Sequence, residues 1–157
     1  MRWAAVLVAA LVVAVPASAR RAAAGNDWPL FGFTPARGNA SDAATRITAA
    51  TAAKLVRQQV AVGGTVDSSP IYLHDVRVRG GTHDVFFVTT TYGRTVAVDA
   101  ANGRVLWTFT PPAYSSYAGS YRITNMSPAA DASRTAIYAG APDGRIRKLR
   151  VADGRVV

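Results

Sequence analysis

At 157 residues, half of them hydrophobic, the chain has material for one domain of about 100–150 residues with its own core. It has no cysteine, which excludes a disulfide framework, a lipidated thiol and thiolate chemistry. The net charge of +9 sets 18 lysines and arginines against nine aspartates, with no glutamate. The one basic cluster, at 145–150, alternates with apolar residues as a half-buried strand does, so no nucleic-acid partner is expected.

In chain order, Met1-Arg2, an apolar block from Trp3 to Val15 and then Pro16-Ala17-Ser18-Ala19 form the basic, apolar and small-residue zones of a secretory signal. Cleavage is expected after Ala19, with 22–24 as a second cleavage point and an uncleaved anchor as the alternative. The rest is placed outside the cytoplasm, secreted or periplasmic, with no stable membrane insertion once the signal is cut. A flexible lead-in at 20–26 follows, and order is expected from Asp27-Trp28-Pro29. The stretch 27–44 mixes Trp28, Phe31 and Phe33 with Gly32, Pro35, Gly38 and Asn39, an irregular loop pinned by its rings. A short helical turn at 51–55 is expected, capped by Thr48 or Thr51.

Strand signals then take over: Gln58-Gln59-Val60-Ala61-Val62 before Gly63-Gly64, Ile71-Tyr72-Leu73 after Ser69-Pro70, and the β-branched and aromatic run 85–91. Tyr92-Gly93-Arg94 is a tight turn, 95–98 its return strand, Asn102-Gly103 a hairpin signal and 105–109 the next strand. Short strands with regular turns indicate an all-β, antiparallel architecture.

The sequence also repeats itself. Val85-Phe86-Phe87-Val88, Gly93-Arg94 and Gly103-Arg104-Val105 recur as Ala136-Ile137-Tyr138-Ala139, Gly144-Arg145 and Gly154-Arg155-Val156, each 51 positions on (137 − 86, 144 − 93, 154 − 103). Ser69-Pro70 and Ser127-Pro128 correspond at 58 (128 − 70), so the first copy carries an extra loop, placed at 76–83. A period near 50 with about four strands per unit is the spacing of propeller blades. The expectation is an incomplete β-propeller over 27–157, two to three blades of four-stranded antiparallel sheet.

The run from Ala97 through Asp99 and Gly103 to Trp107 resembles the tryptophan-docking repeat of the pyrroloquinoline quinone (PQQ) propellers, A-x-D-x-x-T-G-K-x-x-W, with Asn102 and Arg104 standing for its Thr and Lys. The resemblance implies that Trp107 is structural, stacking between blades. The second copy departs from the motif. Lys148 and Arg150 replace Ala97 and Asp99, and its tryptophan would fall one residue past Val157, which reads as a truncated frame. Asp27-Trp28-Pro29-Leu30-Phe31-Gly32 also resembles the opening segment of PQQ-dependent dehydrogenases.

Those dehydrogenases hold PQQ and calcium with an aspartate base, a glutamate or asparagine ligand and, often, adjacent cysteines, so no catalytic, cofactor or metal residue is assigned in this chain. Ala97, Asp99, Gly103, Trp107, Gly144 and Gly154 are assigned to the structural motif, with Asp143 and Asp153 as turn residues. His74 and His83 allow a shared metal in spacing but have no third ligand, and they read as solvated loop residues. Tyr114, Tyr117 and Tyr121 line a sugar or peptide groove or pack an inter-blade loop. Two functions follow from the resemblance: a non-catalytic scaffold for a protein or envelope partner, or the front of a PQQ-dependent dehydrogenase with its catalytic residues in other blades.

Overall fold

The computed structural model describes residues 26–45 and 47–157; the expected signal at 1–19 and all of the lead-in except Asn26 lie outside them. The described chain is mostly β. A four-stranded antiparallel sheet holds β1 (Ile71–Val78), β2 (Gly81–Thr89), β3 (Thr95–Asp99) and β4 (Val105–Phe109) side by side in that order. A three-stranded antiparallel sheet follows, with β5 (Ala129–Ala130), β6 (Ala136–Gly140) and β7 (Ile146–Arg150). Its strand count departs from the expected four, because only Val156 and Val157 reach the fourth position, through a bridge to Leu149 and a 2.9 Å bond from the Val157 N–H to the Lys148 carbonyl.

The two sheets share a register. β2 pairs Phe86 with Val98 and Thr89 with Thr95; β6 pairs Ile137 with Leu149 and Gly140 with Ile146, each partner 51 positions on (137 − 86, 149 − 98). On the other side, Tyr72 pairs with Phe86 and Ala130 with Ile137, where the first partner has moved by 58 (130 − 72). The extra residues at 76–83 do not form the expected loop. They continue β1 and β2 as a longer hairpin, closed at Arg79-Gly80, whose φ angles of 51° and 84° are those of a two-residue turn that matches strand twist.

Lengthening the hairpin required a bulge. Ile71 and Leu73 point inward, Val76 and Val78 point inward, and the alternation survives only because His74 and Asp75 together oppose Asp84, with Asp75 at φ 51°. β3 is buried along its whole length, as befits a strand flanked on both sides. One apolar core joins the sheets: Ile71, Leu73, Val85, Phe87 and Trp107 from the first pack with Ile137, Ala139 and Leu149 from the second.

Two other sequence expectations shift. The helix α1 spans Ala49–Ala52, not 51–55, because Thr48 is the N-cap and exchanges hydrogen bonds with Thr51 in a capping box. Residues 58–62 form no strand. They lie instead against the β3–β4 turn, where a Cβ on Gly103 would come within 2.9 Å of both the Gln58 amide nitrogen and Val60 Cγ2.

Candidate functional site

The motif residues build a docking joint. Gly103 takes φ 75°, its N–H donates to the Asp99 carbonyl at 2.8 Å, and the Asp99 carboxylate accepts from the Ala101 N–H at 2.9 Å. Asn102 closes the turn by accepting from the Arg104 N–H at 2.9 Å. Ala97, fully buried, sits opposite Trp107 in the β3–β4 ladder. One repeat on, Gly154 has the same φ and donates to the Arg150 carbonyl at 2.9 Å, and Asp153 takes the place of Asn102. Arg150 replaces Asp99 there, and its guanidinium turns back to Asp153 at 2.8 and 3.1 Å.

Trp107 connects the joint across the sheets. Its indole is 2% exposed, its ring lies 5.7 Å from that of Phe87, and its Nε1–H donates to the Val151 carbonyl at 2.8 Å. The ring presses on Gly154 so closely that a Cβ there would meet Cε3 at 2.5 Å. Burying about 200 Å² of indole contributes on the order of 5 kcal/mol as an upper bound. Gly144 shares the positive φ, 76°, but has open space around it, so it serves only the β6–β7 turn.

The opening segment fastens the same two sheets at their other edge. Trp28 exchanges backbone hydrogen bonds with Tyr72 on β1 at 2.8 and 2.9 Å, and Pro29 accepts from the Ala130 N–H on β5 at 2.7 Å. Beside it the buried Asp27 carboxylate receives Arg134 in a two-pronged pair, 2.6 and 3.0 Å, and the His74 N–H at 2.8 Å. Arg134, at φ 62°, also donates to the His74 carbonyl. Sequence reasoning missed this pair, since nothing local distinguishes Arg134 among the arginines.

The histidines are half-buried strand residues, not loop residues. His74 Nδ1 meets Asp84 at 2.7 Å and His83 Nδ1 meets Asp99 at 2.8 Å, so each has its own aspartate. Among the described residues no three His, Asp or Glu side chains converge on a metal position. Burial pushes the Asp99 carboxyl up, but the Ala101 N–H and then His83 outweigh it and hold it below the ordinary aspartate value. At Asp143 the hydrogen-bonded Arg147 guanidinium is the main cause of a downward shift, and at Asp153 it is the Arg155 N–H.

Of the tyrosines, Tyr117 is fully buried, and burial pushes its hydroxyl up. Tyr114 packs its ring edge-on to Tyr92 and Tyr117 under the Arg94 guanidinium, 4.8 Å from its centroid, while Tyr121 is fully exposed.

A pocket of about 530 Å³ opens where the two sheets begin, lined by Phe31, Arg37, Asp67, Ser69, Asn125 and Ser127. Asp67 and Asn125, like Ser69 and Ser127, are 58 positions apart, and the Ser69 N–H donates to Ser127 Oγ at 2.9 Å. Positions 58 apart in the sequence thus line one cavity. Arg37 lies over the Phe31 ring at 5.3 Å. Neither the Asp67 carboxylate nor the Asn125 amide is engaged by another described residue.

No helix among the described residues is long and apolar enough to cross a membrane. No protein-family model matches the chain, and no curated protein matches it.

Proposed function

We propose that the chain is a stack of propeller-type repeats exported from the cytoplasm as a binding scaffold, without catalysis of its own. The observation that supports this is the Trp107 joint: the outer strand of one sheet supplies the ring that the turn of the next sheet, stripped to Gly154, is shaped to receive. A joint of this kind fixes the spacing of successive sheets and leaves the loops at their ends free to carry recognition. The polar pocket at the start of β1 and β5 is the place we assign to a protein or envelope partner.

The calcium implied by the resemblance does not fit that pocket. Calcium takes roughly six to eight oxygen ligands, with carboxylates among them. Here Asp67 is the single carboxylate, Arg37 sets a cation in the same lining, and Ser127 Oγ already accepts from Ser69.

Equilibrium dialysis of the chain with PQQ and calcium is expected to show no saturable uptake. The immobilised chain is expected to retain a discrete component of an extracytoplasmic protein fraction, and an Asp67→Lys/Asn125→Lys variant to lose it. Saturable quinone uptake, or retention indifferent to the double variant, overturns the reading.

A further inference from the structure

We propose that the end of the molecule carrying the loop between β4 and β5 seats the chain on an anionic lipid surface, with Arg94 and Arg122 on the head groups and Tyr121 and Ile123 among the upper acyl carbons. The inference rests on the reading of the chain as an exported scaffold and names its envelope partner.

β1 begins, and β2, β4 and β6 end, on the same side of the two sheets, so residues 63–70, 90–94, 110–128 and 141–145 lie together there. The Thr124 N–H donates to the Thr91 carbonyl at 2.8 Å, and the Ser69 N–H to Ser127 Oγ at 2.9 Å, which ties these segments to one another. The long loop is built on Tyr117. That residue is fully buried, and its carbonyl accepts from the N–H and the hydroxyl of Ser120 at 3.0 and 2.7 Å. The Tyr92 hydroxyl donates in turn to the Ser120 carbonyl at 3.2 Å. Directly after this pinned turn, Tyr121 is fully exposed and Ile123 is 55% exposed. Neither can fold back under cover without breaking the bonds on either side of it.

Arg94 lies 4.8 Å from the centroid of the Tyr114 ring and Arg122 6.0 Å from that of Tyr117, and the two rings meet edge-on at 6.2 Å. The four side chains form one row of cation, ring, ring and cation. Each guanidinium is held further by a carbonyl, Arg94 by Gly63 at 2.7 Å and Arg122 by Pro142 at 3.4 Å. With five donors apiece, both keep N–H groups for an anion, and their flat fork matches phosphate. Among the described residues no carboxylate lies within ion-pair distance of either. Arg37 and Arg145 add to the positive charge of this end, against Asp67 and an Asp143 already paired with Arg147.

Arginines beside an exposed ring and an exposed aliphatic side chain have the composition of a membrane-surface element. A soluble acidic peptide or glycan would engage the arginines equally but has no use for Ile123, which is what favours the lipid surface.

Co-sedimentation of the chain with vesicles of phosphatidylglycerol and phosphatidylcholine in equal parts tests this. Vesicles of phosphatidylcholine alone measure the contribution of the apolar block at 3–15, which every variant shares. Binding to the anionic vesicles is expected to be at least about tenfold tighter, and Arg94→Gln/Arg122→Gln is expected to weaken it by at least about tenfold. Arg77→Gln/Arg104→Gln removes the same charge from the opposite end, at the β1–β2 and β3–β4 turns, and is expected to weaken it less than about threefold. Tyr121→Ser/Ile123→Ser alters two exposed side chains, so it is expected to keep the sheet signal in circular dichroism and to lose on the order of tenfold in affinity. Equal losses from the two arginine pairs, an unaffected Tyr121→Ser/Ile123→Ser variant, or binding to soluble polyglutamate as tight as to the vesicles overturns the inference. Such a failure with retention still dependent on Asp67 and Asn125 removes only the lipid partner, whereas retention indifferent to those two residues removes the scaffold reading itself.

Discussion

Two glycines with one backbone conformation separate strain from contact. Gly144 and Gly154 have φ of 76° and 75°, but only Gly154 faces the indole. Gly144→Ala is expected to cost about 1–2 kcal/mol, the penalty of a side chain in the left-handed region. Gly154→Ala pays the same penalty and must also push Trp107 aside, so the loss is expected to be larger by about 1–3 kcal/mol. Urea titration of both variants checks the difference; equal losses would mean that the ring does not rest on Gly154. Trp107→Ala is expected to cost about 3–5 kcal/mol. Trp107→Phe keeps an aromatic ring and loses the bond to the Val151 carbonyl, so a smaller loss is expected, about 1–2 kcal/mol for the carbonyl left without its partner.

At the scale of the elements, the hairpin turns are held by carboxylates that accept most strongly when ionised. Asp99 serves the β3–β4 turn and His83, Asp131 serves the β5–β6 loop through the N–H groups of Thr135 and Ala136, and Asp143 and Asp153 serve the two turns after β6 and β7. All four sit below the ordinary aspartate value. A carboxyl with a depressed folded pKa binds fewer protons in the folded chain than in the unfolded one. Its stabilisation is therefore fully present above the unfolded value and is lost as pH falls through the folded value. Urea midpoints are expected to stay level from neutrality to about pH 5 as far as these groups decide them, and to drop below about pH 4. In Asp99→Asn the acid-side drop is expected to be shallower, and an unchanged slope would show that Asp99 is not among its causes.

For the whole molecule, the question is what makes two small sheets one core. Trp107 joins them at one side and the opening segment at the other, where Asp27 and Arg134 form a buried pair 107 positions apart in the chain. Removing one partner leaves the other charge buried and alone, so Arg134→Met is expected to cost about 3–5 kcal/mol. Adding Asp27→Asn to that variant is expected to restore part of the loss, since the stranded carboxylate is then neutral. A double variant no more stable than Arg134→Met would show that the pair does not act as a unit.

Local chemistry made much of this legible from the sequence. Asn102-Gly103 and Asp153-Gly154 dictate turns because positive φ and a side-chain acceptor are properties of those residues, and the 51-position offset carries into the ladder because register follows turns and alternation. Residues 58–62 and 76–83 were misjudged for the complementary reason. A strand needs a neighbour as well as a suitable composition, and a hairpin can lengthen through a bulge that no single residue announces. The pocket and the Asp27–Arg134 pair belong to the tertiary structure alone. Their residues are brought together by the packing of one sheet on the next, and the chain distances between them carry no local signal.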